Sequence, residues 1–428
     1  MKKRWMKAVV LGGVLLCTAC RAEPEEQPQE LMAEQQPEVL CDYVYLVDRE
    51  NGQVLWDQGS EERIYPASLT KMMTGIVALE NIADLNDTFL FTEEVVAGLK
   101  EAGANRAGFW VGDEPTLLDL VYGDILPSGA ECSRALGYYL TGSEEGLVEL
   151  MNAKAAALGM HDTHFVNTTG LHDDNHYSTC RDMAILLDYC LQNDLFRQII
   201  TTYEYTAAPT ENYPEGLNMR NAVLMYVNQE DPPYENFEIP GFVGGKSGYT
   251  IEGQYTLASE AVINGMDLIL VNCHGYKEPH YPASIADAAV IFNYMRETWG
   301  RQTLWQKGDV FTTLRIRNTV NGHLSLLHRH TLTMDLPLGD TRIISDTGET
   351  ADAPLCAGHY LGHAQVYAFD RLMAEERFYA VSSFTATRTG KMWTIGYELA
   401  ASYGIPVVIV LVLAVILLSM RLRRRRPK

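Results

Sequence analysis

The body of this chain is poor in positive charge. Of its 34 Lys and Arg, ten lie in residues 1–7 and 421–428, which leaves 24 against 55 Asp and Glu between them, a balance of −31. A surface of that sign repels phosphate backbones, whose binding depends on neutralisation by Lys and Arg, so nucleic acid is excluded as a partner. Zinc-type Cys-x-x-Cys spacing is missing from the six cysteines of the body, Cys41, Cys132, Cys180, Cys190, Cys273 and Cys356, and no pairing among them is selected by the sequence. No internal repeat is evident. Long apolar runs are confined to the two ends. What remains is a chain of 428 residues, more than one typical domain, for which a large unit plus a smaller module is the expectation.

Both ends read as membrane signals. Lys2, Lys3, Arg4 and Lys7 precede the apolar run 8–16, the layout of a signal peptide over residues 1–22 and hence of an exported protein. Cys17-Thr18-Ala19-Cys20 resembles a bacterial lipobox in the small residue before Cys20, but Cys17 stands where Leu is usual; ordinary cleavage after Ala19 or Ala22 is the alternative. Near the other end, 403–420 is an expected transmembrane helix: Gly404 to Met420 carries no charge and would span about 25 Å at about 1.5 Å per residue. The basic tail 421–428 is expected on the cytoplasmic side, which places the body outside.

Residues 23–40, rich in Glu, Gln and Pro without apolar periodicity, read as a disordered spacer. From Cys41 two strand-like runs flank Asn51-Gly52, a hairpin signal. After Pro66 the spacing of Leu69, Met72, Met73, Ile76, Val77 and Leu79 is helical, and 118–200 reads mainly as helices. Strands return over 242–273, with a hairpin at Asn264-Gly265, followed by a helix over 285–299. A unit of 41–307 is therefore followed by a small all-β module over 308–390, with a further hairpin at Asn321-Gly322. The fold class is α+β: a helical cluster against an antiparallel sheet.

A serine hydroxyl needs a neighbouring base to become a nucleophile. In Ser68-Leu69-Thr70-Lys71 the two reactive groups are three apart at a helix start, on one face, with Ser68 near the positive end of the helix dipole. Alone the tetrapeptide is weak, since an N-cap serine beside a solvated lysine has the same letters. Lys246-Ser247-Gly248 on a predicted strand strengthens it: a cation suited to a carboxylate, a hydroxyl, and a glycine that lets a substrate backbone approach the strand edge. Together these match two of the three elements of the serine β-lactamase and penicillin-binding signature.

The chain resembles the low-molecular-mass penicillin-binding proteins that are D-alanyl-D-alanine carboxypeptidases. The resemblance rests on Pro66-Ala-Ser-Leu-Thr-Lys-Met-Met-Thr, Leu126-Pro-Ser-Gly-Ala, Met160 to His172, His176-Tyr-Ser-Thr-Cys-Arg-Asp-Met-Ala and Gly245-Lys-Ser-Gly-Tyr-Thr, and it covers about 41–300. It implies a β-lactamase-like fold and acyl transfer without a cofactor or metal. Ser68 would be the nucleophile, Lys71 its base and Ser128 a hydroxyl relaying a proton with Lys71. Lys246 and Ser247 would bind the terminal carboxylate, with Gly248 at the strand edge, and the N–H groups of Ser68 and Tyr249 would form the oxyanion hole. The substrate would be a peptidoglycan stem peptide ending in D-Ala-D-Ala, and β-lactams would inhibit by mimicry.

One position departs from that pattern: the second motif is usually Ser-x-Asn, and Ala130 follows Ser128-Gly129 here, so altered efficiency or substrate choice is expected. A β-lactamase of the same fold is a competing reading, weakened because no Glu-x-x-Leu-Asn follows the second motif. A catalytically weak wall-binding module is the other, with Ala130 its main support. His161, His164, His172 and His176 with Asp173 and Asp174 could be read as a metal cluster, but they fall inside the family-like loop, and polar packing is the preferred reading.

Overall fold

A computed structural model of the chain describes residues 36–229, 236–276, 282–339, 341–392, 394, 395, 413 and 416. The expected signal peptide 1–22, most of the spacer, and the apolar and basic C-terminal segments apart from residues 413 and 416 lie outside them. Among the described residues no helix is long and apolar enough to cross a membrane.

The chain opens with strands β1 (Cys41–Asp48) and β2 (Val54–Gln58), then a 3-10 turn, Ala67–Leu69, that runs into α1 (Thr70–Asn81). Helices α2 (Glu93–Val96), α3 (Leu117–Ile125), α4 (Ala130–Thr141), α5 (Glu144–Leu158), α6 (Cys180–Leu191) and α7 (Asp194–Ile200) follow. A short hairpin of β3 (Glu204–Thr206) and β4 (Asn218–Arg220) leads to β5 (Phe242–Thr250), β6 (Gln254–Ile263), β7 (Met266–Gly275) and α8 (Ala283–Thr298).

Five strands form one antiparallel sheet in the order β2-β1-β7-β6-β5. Successive side chains leave a strand on opposite faces, and β7 shows the consequence. Leu268 and Leu270 pack with Ile285 and Phe292 of α8, whereas Ile269, Val271 and Cys273 pack with the helical cluster on the other face. Both faces are covered, so the strand reads as a nearly continuous apolar run. The predicted turns occur where expected: Gly52 has φ +73°, and Asn264 and Gly265 between β6 and β7 have φ +49° and +82°, the left-handed pair a two-residue hairpin requires.

Helix α1 is buried all round from Thr70 to Ala78, because α3, α4, α5, α6 and α7 surround it. A helix in that position carries no solvent stripe, which explains its many apolar residues. Its N-terminus meets the inner side of β5, the outermost strand of the sheet.

The small module comprises β8 (Trp299–Trp305), β9 (Val310–Arg317), β10 (Gly322–Leu327), β11 (Leu332–Pro337), β12 (Thr341–Ser345), β13 (Thr350–Asp352), β14 (Tyr360–Ala368) and β15 (Arg371–Tyr379). Among its described residues these strands are the regular elements from Trp299 to Tyr379. Its first strand starts earlier than residue 308, because β8 pairs along its length with β11 and continues directly from α8. Arg301 of β8 ties the module to the β1–β2 turn through ion pairs with Asp48 and Glu50 while pairing within the module with Asp335 of β11, whose Oδ2 accepts from Asn51 Nδ2 at 2.9 Å.

Candidate active site

Ser68 sits in the middle of the 3-10 turn that precedes α1, so its side chain and that of Lys71 project on the same side. The Lys71 amine donates to Ser68 Oγ at 3.1 Å and to the carbonyl of Thr169 at 2.5 Å. Lys71 is buried, whereas Ser68 keeps partial access to solvent. Burial disfavours the charged amine and lowers its proton affinity well below that of an ordinary lysine, against the opposing pull of Asp124 and Glu131. A base that gives up its charge readily, in contact with a hydroxyl that solvent reaches, is what an activated serine requires.

The turn itself is strained and held from outside. Ala67 has φ +49°, a left-handed value that a residue with a Cβ adopts only when its surroundings impose it. Gly170, at φ +80°, packs so closely that a Cβ there would lie 1.8 Å from the Ala67 carbonyl oxygen. The loop carrying Gly170 is fixed by Asn167, whose Oδ1 accepts the N–H groups of Thr169 and Gly170 and the Thr169 hydroxyl at 2.8–3.1 Å. Thr74 Oγ1 donates to the carbonyl of Thr168 at 2.7 Å, joining α1 to the same loop.

His176 contributes to this scaffold. It is buried, its Nδ1 accepts the Val166 N–H at 3.2 Å, and its Nε2 therefore carries the proton toward Thr70 Oγ1 at 2.7 Å. Burial holds the ring neutral by lowering its pKa to about 4. His164 Nδ1 lies 2.7 Å from the carbonyl of Asn175, and His172 packs edge-on against Tyr65. These contacts are polar loop packing, and among the described residues no group of His, Cys, Asp and Glu is arranged to hold a metal ion.

Opposite the serine runs β5. Gly248 lies against the turn so tightly that a Cβ would come within 2.7 Å of both the Ser68 nitrogen and Thr256 Oγ1. Tyr249 follows with an exposed side chain packed on Tyr255, ring centroids 4.8 Å apart, and Ser247 is half-buried. Lys246 is buried and donates to Ser128 Oγ and to the carbonyl of Ser247, both at 2.9 Å. Burial and the neighbouring Lys71 charge push its proton affinity down. Ser128, at φ +65°, stands just before α4, with Ala130 buried at the helix start.

The structure thus brings Ser68 beside Lys71 and Gly248, and Ser128 beside Lys246. It bonds Ser128 to Lys246, and the two hydrogen bonds of Lys71 go to Ser68 and Thr169. The sequence reading missed Thr169, Asn167 and Asp124. The first two lie in the Met160–His172 segment that carries the resemblance, a signal that marked the loop but not its contacts; Asp124, inside an apolar helical run, gave the only local clue as a charge where a core residue would stand.

A helical cluster on one face of a five-stranded antiparallel sheet, with a Ser-x-x-Lys turn facing the outer strand, defines the α+β fold of penicillin-binding proteins and β-lactamases. The DacD carboxypeptidase of Francisella tularensis shares this fold, with a TM-score of 0.63 at 20% identity over 85% of this chain and 98% of that one. The profile of the D-alanyl-D-alanine carboxypeptidase family matches residues 30–275, more than half of the chain, and the chain belongs to that family. D-alanyl-D-alanine carboxypeptidase DacF of Bacillus subtilis is 30% identical over 277 residues, 63% of this chain and 65% of DacF, so the match leaves about a third of that relative uncovered. DacA of Haemophilus influenzae is 26% identical over 384 residues, 86% of this chain and 91% of DacA.

Proposed function

We propose that the protein is a serine-type D-alanyl-D-alanine carboxypeptidase that removes the last D-alanine from peptidoglycan stem peptides and is acylated by β-lactams. The observation that carries this reading is the 3.1 Å contact between the Lys71 amine and the Ser68 hydroxyl, opposite the Lys246–Gly248 strand edge. Lys71 takes the Ser68 proton as Oγ attacks the carbonyl between the two D-alanines. The backbone N–H groups of Ser68 and Tyr249 hold the oxyanion of the tetrahedral intermediate. The C–N bond then breaks, the proton passes from Lys71 by way of Ser128 to the departing D-alanine amine, and the acyl group remains on Ser68 until water releases it. Lys246 and Ser247 hold the terminal carboxylate of the substrate.

We also propose that the cleft faces the extracytoplasmic side of the membrane, with the N-terminal segment directing export and the C-terminal apolar segment anchoring the chain. The charge arrangement at the two ends supports that reading.

Incubating the full-length protein with a fluorescent penicillin and, separately, with diacetyl-Lys-D-Ala-D-Ala tests the function. Stable labelling together with D-alanine release supports the carboxypeptidase. Rapid turnover of the drug points to a β-lactamase, and absence of both reactions to a binding module, the reading that Ala130 would favour.

A further inference from the structure

Behind the two lysines lies a buried acid that the reaction above does not use. Asp124 of α3 is fully buried; its Oδ1 accepts the Ser133 hydroxyl at 2.5 Å, and its Oδ2 has no hydrogen-bond partner among the described residues. Oδ2 lies 3.5 Å from where a Cβ on Gly75 would stand, and Gly75 is one turn along α1 from Lys71, so the carboxyl faces the side of α1 that carries the base. Burial raises the Asp124 carboxyl to about 7, against the pull of Lys71, the Ser133 hydroxyl and Lys246, so its ionised form depends on opposite charge standing near it.

The surroundings supply that charge from two elements. Lys71 of α1 and Lys246 of β5 both act on Asp124 through space, while their own hydrogen bonds go to Ser68, Thr169, Ser128 and Ser247. On α4, Glu131 is the other acid facing the cluster, its Oε1 occupied by the Gly108 N–H at 2.8 Å, and Cys132 is a buried neutral thiol. From α7 the ring of Phe196 closes the site, and Arg197 points away to Glu260 at 2.9 Å. Glu144 on α5 is engaged with Arg134 at 3.0 Å and with Thr168.

The charge count has a simple consequence. With Glu131 set against Arg106 at 3.9 Å and the Gly108 N–H, two buried amines and the Asp124 carboxylate remain, neutral overall when Asp124 is ionised, one lysine is protonated and the other is free. One cation and one free base is what the reaction needs; burial brings Lys246 to about 7 and Lys71 to about 8, so in the empty site Lys246 gives up its proton first, and an entering substrate carboxylate draws the charge to Lys246 and leaves Lys71 as the base. We propose that Asp124 is a positioning residue of this site: its carboxylate, pinned by Ser133 behind Lys71 and Lys246, keeps one of the two buried amines charged while leaving the other free to accept the serine proton. The inference rests on the carboxypeptidase reading, and it adds a control on the working pH of the site.

The carboxylate raises the proton affinity of both lysines, so its removal lowers both. Asp124→Asn is therefore expected to move both limbs of the pH profile for acylation by a fluorescent penicillin toward acid by about one unit. It should also raise KM for diacetyl-Lys-D-Ala-D-Ala at neutral pH, where Lys246 carries less charge. Ser133→Ala, which frees Oδ1 and favours the protonated carboxyl, should shift the profile the same way by less. The titrations of Lys71 and Lys246 can also be followed without turnover, by the 13Cε shifts of lysine-labelled full-length protein assigned with Lys71→Arg and Lys246→Arg.

Parallel acid shifts in kinetics and NMR support the proposal. Asp124→Asn that slows the reaction equally at every pH, or leaves both lysine titrations where they were, overturns it and reduces Asp124 to a packing role. If Asp124→Asn gives no cooperative melt, the Ser133→Ala profile decides by the same criterion. A parent protein that takes no penicillin label removes the carboxypeptidase reading instead, and the NMR titrations then still decide the role of Asp124.

Discussion

Lys246 Nζ lies 2.9 Å from Ser128 Oγ, a contact between residues 118 apart in sequence that joins the outer sheet strand to the start of α4. With the carbonyl of Ser247, also at 2.9 Å, it gives the lysine amine partners when no substrate is bound. A substrate carboxylate therefore competes for a donor that already has partners, and its advantage is its charge.

Replacing that cation tests the assignment. Lys246→Gln keeps a donor near Ser128 but loses the charge, and kcat/KM for diacetyl-Lys-D-Ala-D-Ala should fall about 30- to 160-fold, as expected for a lost charged hydrogen bond of about 2–3 kcal/mol. Steady-state kinetics checks it; a rate within twofold of the parent would remove Lys246 from substrate binding.

The nucleophile and base act as a unit. Ser68→Ala should abolish covalent penicillin labelling, and Lys71→Ala should lower its rate by at least ~10³-fold, because neither group works without the other. Gel fluorescence at fixed times, with thermal melts to show that the variants fold, is the measurement. Label persisting on Ser68→Ala would place the nucleophile elsewhere.

His176 makes stability depend on pH. Its folded pKa, about 4, lies below the unfolded value of about 6.5, so the unfolded chain binds the proton first as pH falls. The stability that the neutral ring confers is whole above about pH 6.5 and is lost through the window down to about 4, an effect on the order of 3 kcal/mol. His176→Asn should flatten that part of the curve of Tm against pH. An unchanged slope would assign the acid sensitivity to other groups.

Ala130 stands where the family motif usually has Asn, and it is buried at the first position of α4 with its N–H on the carbonyl of Asn105 at 2.9 Å. Ala130→Asn should raise turnover of the model peptide by up to about tenfold, the worth of one added hydrogen bond in the transition state. A kcat that stays level or drops would show that the cleft has adapted to the alanine.

Much of this molecule was legible in its sequence, because the signals concerned are local. Helical periodicity after Pro66 located α1, the Asn-Gly turns located the hairpins, and the spacing of Ser68 and Lys71 placed hydroxyl and amine on one helical face before any neighbour was known. The module boundary was less legible: β8 follows α8 without a break in the chain, and only its pairing with β11 reveals which unit it joins. What the tertiary structure alone decided is the electrostatics of the cleft. That Lys246 rests on Ser128, that the Thr169 carbonyl holds Lys71, and that Asp124 is buried on the Ser133 hydroxyl depend on α1, α3, α4, β5 and the 167–171 loop converging from distant parts of the chain. The charge a buried group carries is set by what surrounds it in space, and a list of neighbours along the chain does not contain that information.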